Sequence, residues 1–170
     1  MKAQALWIAT CSTALVAGCA DSTGPRVDKL TDALGRATVS LKESVLAGES
    51  SVSGGRGIRA ELLVVAEPEY SVNALWNGAL HDVRVSITGA VTATHALGPA
   101  ADPCPGSIPL ADAIGIAERE VNGSAVRVQP DDDDHCLREV QVLSGNKLWE
   151  VKLSREGQVL ETEEADGDDN

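Results

Sequence analysis

The stretch LWEVKLSREGQVLET, Leu148 to Thr162, repeats at a distance of 68 positions a stretch that has already occurred as LHDVRVSITGAVTAT, Leu80 to Thr94. Identities fall at Leu80/Leu148, Val83/Val151, Ser86/Ser154, Gly89/Gly157, Val91/Val159 and Thr94/Thr162, and Asp82/Glu150, Arg84/Lys152 and Val85/Leu153 keep their chemistry. The same shift pairs Val72 with Val140, Leu75 with Leu143, Asn77-Gly78 with Gly145-Asn146, and Ile58-Arg59 with Val126-Arg127. At a shift of 69, VSLKESVLAGE (Val39 to Glu49) meets IPLADAIGIAE (Ile108 to Glu118). Internal repetition constrains the fold more than any composition does, because whatever one copy builds the other must build too.

Each copy follows one physical plan. Leu110, Ile114, Ala117 and Val121 recur at helical spacing, as do Leu41, Val45 and Gly48, so each unit opens with an amphipathic helix. Ser40 with Glu43 reads as a capping box, whereas Pro109 and Asp112 require the second helix to start differently. Three β-branched runs follow in each copy, and Asn77-Gly78 and Gly145-Asn146 supply turn residues for two-residue hairpins. The expectation is an α+β chain of two tandem units, each a helix with a three-stranded antiparallel sheet, over 39–94 and 107–163. A Pro/Gly-rich linker, 95–106, joins them; 19–38 forms a tether with a short helix at Val27 to Ala37, and 164–170 an acidic tail.

A chain of 170 residues with no Phe, one Tyr and three Trp must assemble its core from Val, Leu, Ile and Ala. Its 26 acidic and 14 basic side chains give a net charge of -12, which repels phosphate backbones and excludes nucleic acid as a partner.

The N-terminus carries Lys2, then an uncharged and mostly apolar run ending in small residues, the layout of an export signal and too short for a spanning helix. LVAGC, Leu15 to Cys19, resembles the lipobox of bacterial lipoproteins, which implies cleavage after residue 18 and lipidation of Cys19. Ala20, rather than Asp, follows Cys19, so the outer membrane is favoured over the inner, with the chain on the periplasmic side and touching the membrane through its anchor only. With Cys11 removed and Cys19 lipidated, Cys104 and Cys136 remain, and an even pair in an oxidising compartment reads as a disulfide.

IPLADAIGIAE, followed after about thirty residues by LWEVKLSREGQVLETEE, resembles a PepSY domain over Ser107 to Glu163. In that family the last strand carries a hydrophobic-Asp-x-x-Thr-Gly-x-Val pattern; here Gly157 and Val159 agree, Ser154 stands at the Asp position and Glu156 at the Thr position. The first copy keeps Thr88-Gly89 and Val91. The resemblance implies a helix with three strands and a role in binding, inhibiting or chaperoning a protease.

The conspicuous polar cluster is PDDDDHC, in which Asp131, Asp132, Asp133, Asp134 and His135 offer donors for a divalent ion. The cluster lacks D-x-D-x-D-G spacing and joins two strands, so a solvated loop is the first reading and a metal site the alternative. His81 and His95 have no nucleophile motif beside them, so no catalytic triad is expected and no cofactor. Trp149, Arg155 and Trp76 are the candidate contacts for a protein partner. The expected function is therefore a non-catalytic, lipid-anchored envelope protein that binds another protein, with a peptidase as the candidate partner. A metal-binding lipoprotein and a structural envelope component are the alternatives.

Overall fold

The computed structural model describes residues 25–165; the lipobox with Cys19 and the end of the acidic tail lie outside the described residues. The chain runs α1 (Pro25–Arg36), α2 (Leu41–Ser51), β1 (Arg56–Leu63), β2 (Glu69–Trp76), β3 (Ala79–Ser86), β4 (Val91–Pro99), α3 (Leu110–Val121), β5 (Ser124–Pro130), β6 (Arg138–Ser144), β7 (Lys147–Leu153) and β8 (Val159–Glu164). The α+β class is as expected. The arrangement of two three-stranded sheets is not: four strands from each half join one eight-stranded sheet, ordered β4-β3-β2-β1-β5-β6-β7-β8.

Two physical reasons account for the difference. Gly89 and Gly157 take φ of 88° and 84° and sit in tight turns closed by Ser86 N to Ala90 O and Ser154 N to Gln158 O, so each repeated stretch breaks into two strands. In addition, β1 pairs with β5, antiparallel, at Ala60↔Val128 and Glu61↔Arg127, which removes two open edges from the molecule. The strand β4 also runs on to Pro99, into the segment expected as linker.

The repetition in sequence persists in register. Arg56↔Leu75 in the β1–β2 pair corresponds to Ser124↔Leu143 in β5–β6, and both ladders bulge at the same place, Gly57/Arg59 and Ala125/Arg127. Likewise Val85↔Val91 matches Leu153↔Val159, each beside a bulge. Since Val128 lies 68 positions after Ala60, the central pair joins one position to its own counterpart, and the two halves are related by an approximate two-fold axis through it.

Helix starts follow the sequence. Ser40 caps α2 with the full capping box: its hydroxyl accepts from Glu43 N, and its own N–H donates to Glu43 Oε2 at 2.7 Å. Pro109 caps α3 without a side-chain hydrogen bond. The loops into the two helices are tied alike, Val39 N donating to Ile87 O and Ile108 N to Arg155 O, again 68 or 69 positions apart.

Helices α2 and α3 cover one face of the sheet and touch each other. That face presents alternate residues such as Val72, Val83, Val85, Val128, Val140 and Val151, all fully buried. Tyr70 is also fully buried; its hydroxyl donates to Val39 O at 2.7 Å, and burial, aided by Glu43, pushes its pKa up to about 12. The core is the aliphatic one that the composition required.

Candidate functional site

The residues between those core positions point to the opposite face, where α1 lies against the central strands, Arg26 Nη2 donating to Gln141 Oε1 at 3.2 Å, and where the side chains beside it are polar. In the first half, Arg84 Nε donates to Asp82 Oδ2 at 2.8 Å and Arg84 Nη1 to Glu69 Oε1 at 3.2 Å, while Ser71 Oγ donates to Asp82 Oδ1 at 2.7 Å. In the second half Lys152, the counterpart of Arg84, lies between Asp131 Oδ2 at 2.8 Å and Glu139 Oε1 at 3.6 Å. Gln129 Nε2 donates to Glu139 Oε2 at 3.2 Å. Each half thus holds one cation between two carboxylates.

The electrostatics follow from these contacts. Burial alone would lower the Arg84 pKa, but the hydrogen bond and charge of Asp82, then Glu69, raise it overall. The hydrogen bond from Lys152, reinforced by the backbone N–H of Asp134, holds Asp131 well below the usual carboxylate range, and the same bond lifts Lys152 to about 12. Desolvation pushes Glu139 the other way, upward. The ion pairs leave each of these charged groups with an opposite charge beside it on this part of the face.

The acidic cluster is a structural loop. Asp131, its side chain 6% exposed, accepts from Asp133 N at 2.9 Å and Asp134 N at 2.7 Å, and His135 Nδ1 lies 3.0 Å from Asp131 O. Asp134 Oδ1 accepts from Cys136 N at 3.0 Å. The other carboxylate oxygen of Asp131 meets Lys152 Nζ at 2.8 Å, and among the described residues no group of three His, Cys, Asp or Glu side chains is placed to hold a metal ion.

The loop is also bolted to the crossing between the halves. Cys104 and Cys136 form the disulfide that the cysteine count anticipates. Arg138, 1% exposed, donates through Nη2 to Ser107 Oγ and through Nη1 to His135 O, both at 3.0 Å. Arg56 donates to Ser107 O at 3.0 Å and faces Asp102 Oδ2 at 3.1 Å. Burial, then the neighbouring Arg56, pull the Arg138 pKa down. Arg56, Asp102, Ser107 and Arg138 escape a sequence reading because their partners lie far along the chain; the one available hint was an Arg inside an otherwise apolar strand pattern.

The three candidate contact residues each have different neighbours. Arg155 Nη2 donates to Pro105 O at 2.6 Å, so it straps the crossing segment. Trp76, 42% exposed, ends β2 beside His81, with ring centroids 6.1 Å apart. Trp149 pairs with Val142 near the other end of the sheet, with Lys147 Nζ 6.0 Å from its ring centroid. No helix among the described residues is long and apolar enough to cross a membrane.

No protein-family model matches the sequence and no curated protein does, so the PepSY resemblance rests on the quoted residues alone. Two solved structures overlay in part. A candidate lipoprotein from Clostridium difficile 630 is 14% identical, with 69% of this chain and 87% of that one covered and a TM-score of 0.42. A BLIP-like protein from Bacteroides fragilis NCTC 9343 is 15% identical, with 80% and 94% covered and a TM-score of 0.28. At these values neither likeness carries an argument about what this chain binds.

Proposed function

We propose that this chain is a lipid-anchored envelope protein that binds another protein through the polar face of its sheet and performs no chemistry of its own. The observation that supports the reading is the part of that face left open beside α1: hydrogen-bonded strands whose charged groups are held in ion pairs, opposite the face covered by α2 and α3. A rigid surface with satisfied charges loses little conformational entropy when a partner docks. Anchoring rests on the lipobox Leu15 to Cys19, and the periplasmic, outer-membrane placement on Ala20 after it. A peptidase as partner follows only from the PepSY resemblance of Ser107 to Glu163.

Site-specific photo-crosslinking in intact envelopes tests the surface. A crosslinker at Asn73, on the polar face in β2, should give a discrete adduct, and Arg84→Glu should abolish it. The same crosslinker at Glu120, on α3, serves as the control. An identical adduct from both positions, or none from Asn73, would sink the assignment of the partner to this face.

A further inference from the structure

We propose that the cleft between α1 and strands β1, β5 and β6 is a binding site for a carboxylate that carries a short apolar group. The cleft encloses about 170 Å³, room on the order of ten water-sized groups. Arg26 and Lys29 of α1 line it together with Arg127 of β5, while Glu61 is the single carboxylate in its wall. Three cations to one anion is the reverse of the whole chain, which has 14 basic against 26 acidic residues. The remaining lining is apolar, from Leu30, Leu62 and Val126, all nearly buried, and Val64 at the mouth. Cations from α1 and from β5 therefore line a recess that is otherwise largely apolar.

The guanidinium of Arg127 is the group with an unmet need. Its Nε is buried and makes no hydrogen bond, because Glu61 Oε2 stands 3.9 Å away and is shared with Arg59 Nη2 at 3.4 Å. Burial, then the charge of Arg59, destabilise its protonated form, and the attraction of a bound anion offsets both. Arg26 is already oriented over the strands by its bond to Gln141 Oε1 at 3.2 Å. Lys29 is exposed and has no ion-pair partner among the described residues.

The ligand class follows from shape and charge. A planar carboxylate fits the fork of a guanidinium with two oxygens, and it brings one negative charge, which the neighbouring Glu61 tolerates better than the two of a phosphate. The apolar floor gives a reward only to a ligand with a hydrocarbon group attached. A small fatty acid and the C-terminus of a peptide ending in an aliphatic residue share this chemistry.

Isothermal titration of the full-length protein tests the site with hexanoate, hexanamide and inorganic phosphate. A short peptide ending in a free Leu carboxylate, against its C-terminal amide, forms the second arm. Binding of either carboxylate with its neutral counterpart ignored supports the proposal, and the tighter of the two identifies the source. Lys29→Glu, on an exposed position, and Arg127→Gln should each weaken binding about tenfold or more. Equal heats from acid and amide, phosphate binding as tightly as hexanoate, no binding of either carboxylate, or undiminished binding by Lys29→Glu would overturn it.

Discussion

Gly123, between α3 and β5, is where the fold tolerates a side chain least. A Cβ there would overlap the carbonyl oxygen of Leu143 and stand 2.8 Å from Val142 Cγ1. That carbonyl belongs to the strand that pairs with β5 at Ser124↔Leu143, so it cannot yield without displacing the ladder. Overpacking costs about 1–3 kcal/mol, and the rigidity of the obstructing atom places Gly123→Ala at the upper end of that range. A loss of unfolded-state freedom returns about 0.4–1 kcal/mol, leaving a net destabilisation of about 2 kcal/mol. Gly55 holds the same position in the first half, but a Cβ there would meet the Val52 Cγ2 methyl at 2.6 Å and the Leu75 oxygen at 3.2 Å. A methyl on a loop side chain can rotate away, so Gly55→Ala should cost about half as much. Gly35, near the end of α1, has open space around it, with no atom within 4 Å of where a Cβ would stand, and Gly35→Ala should stabilise by about 0.5 kcal/mol. Urea unfolding followed by circular dichroism measures all three. Gly123→Ala within about 0.5 kcal/mol of the parent, or Gly35→Ala as damaging as Gly123→Ala, would refute the packing argument.

The remaining predictions concern the loop, the bridge and the anchor. The folded pKa of Asp131 is depressed, so its contribution is complete above its unfolded value near 3.8 and is lost as pH falls through the folded value; Asp131→Asn should therefore cost about 2 kcal/mol at pH 7 and progressively less in acid. A destabilisation that is the same at pH 7 and pH 2 would show that the charge is not what matters. Replacing Cys104 and Cys136 together by Ala opens a bridge of sequence separation 32 and should lower stability by about 2–4 kcal/mol, read from the same urea curves, and unchanged midpoints would count against a stabilising bridge. Labelled palmitate should enter the parent and not Cys19→Ser, and label retained by the variant would remove Cys19 as the anchor.

How much of this was legible in the sequence depended on how local each cause is. Ser40 and Glu43 are three residues apart, and the capping box they announce is present. The hairpins at Asn77-Gly78 and Gly145-Asn146 form with positive φ at Asn77, Gly78 and Gly145. The disulfide was deducible because the signal processing expected from the sequence would leave two cysteines. The joining of β1 to β5 was not, since nothing in a single strand says which edge it will meet. The fourth strand of each half was hidden in a run with one apparent period, and only the φ of Gly89 and Gly157 divides it. Among candidate site residues, the tryptophans and Arg155 stand out only as residue types that anchor protein contacts. Such criteria cannot foresee that Arg155 reaches Pro105 or that Asp131 turns inward to Lys152.

The divergence between the halves explains where the disulfide lies. Tyr70 and Arg138 occupy the same position 68 residues apart, both buried, and each reaches toward the loop that enters the helix of its own half, α2 for Tyr70 and α3 for Arg138. A phenol there needs one acceptor, and Val39 O supplies it. A guanidinium needs several and cannot shed its charge, so the second half requires a wall of oxygens where the first requires a single carbonyl. The crossing segment between the halves provides that wall through Ser107, while Asp102 offsets the second cation, Arg56. Such a segment carries little apolar surface of its own and would not stay in place through burial. Cys104, 1% exposed, is tied to Cys136 two residues before Arg138, so the bridge fixes the partners of the buried cation and the loop carrying Asp131 in one step. The first half has no buried arginine at this position and no cysteine either, which is the pairing expected if the bridge exists to hold the crossing segment against Arg138.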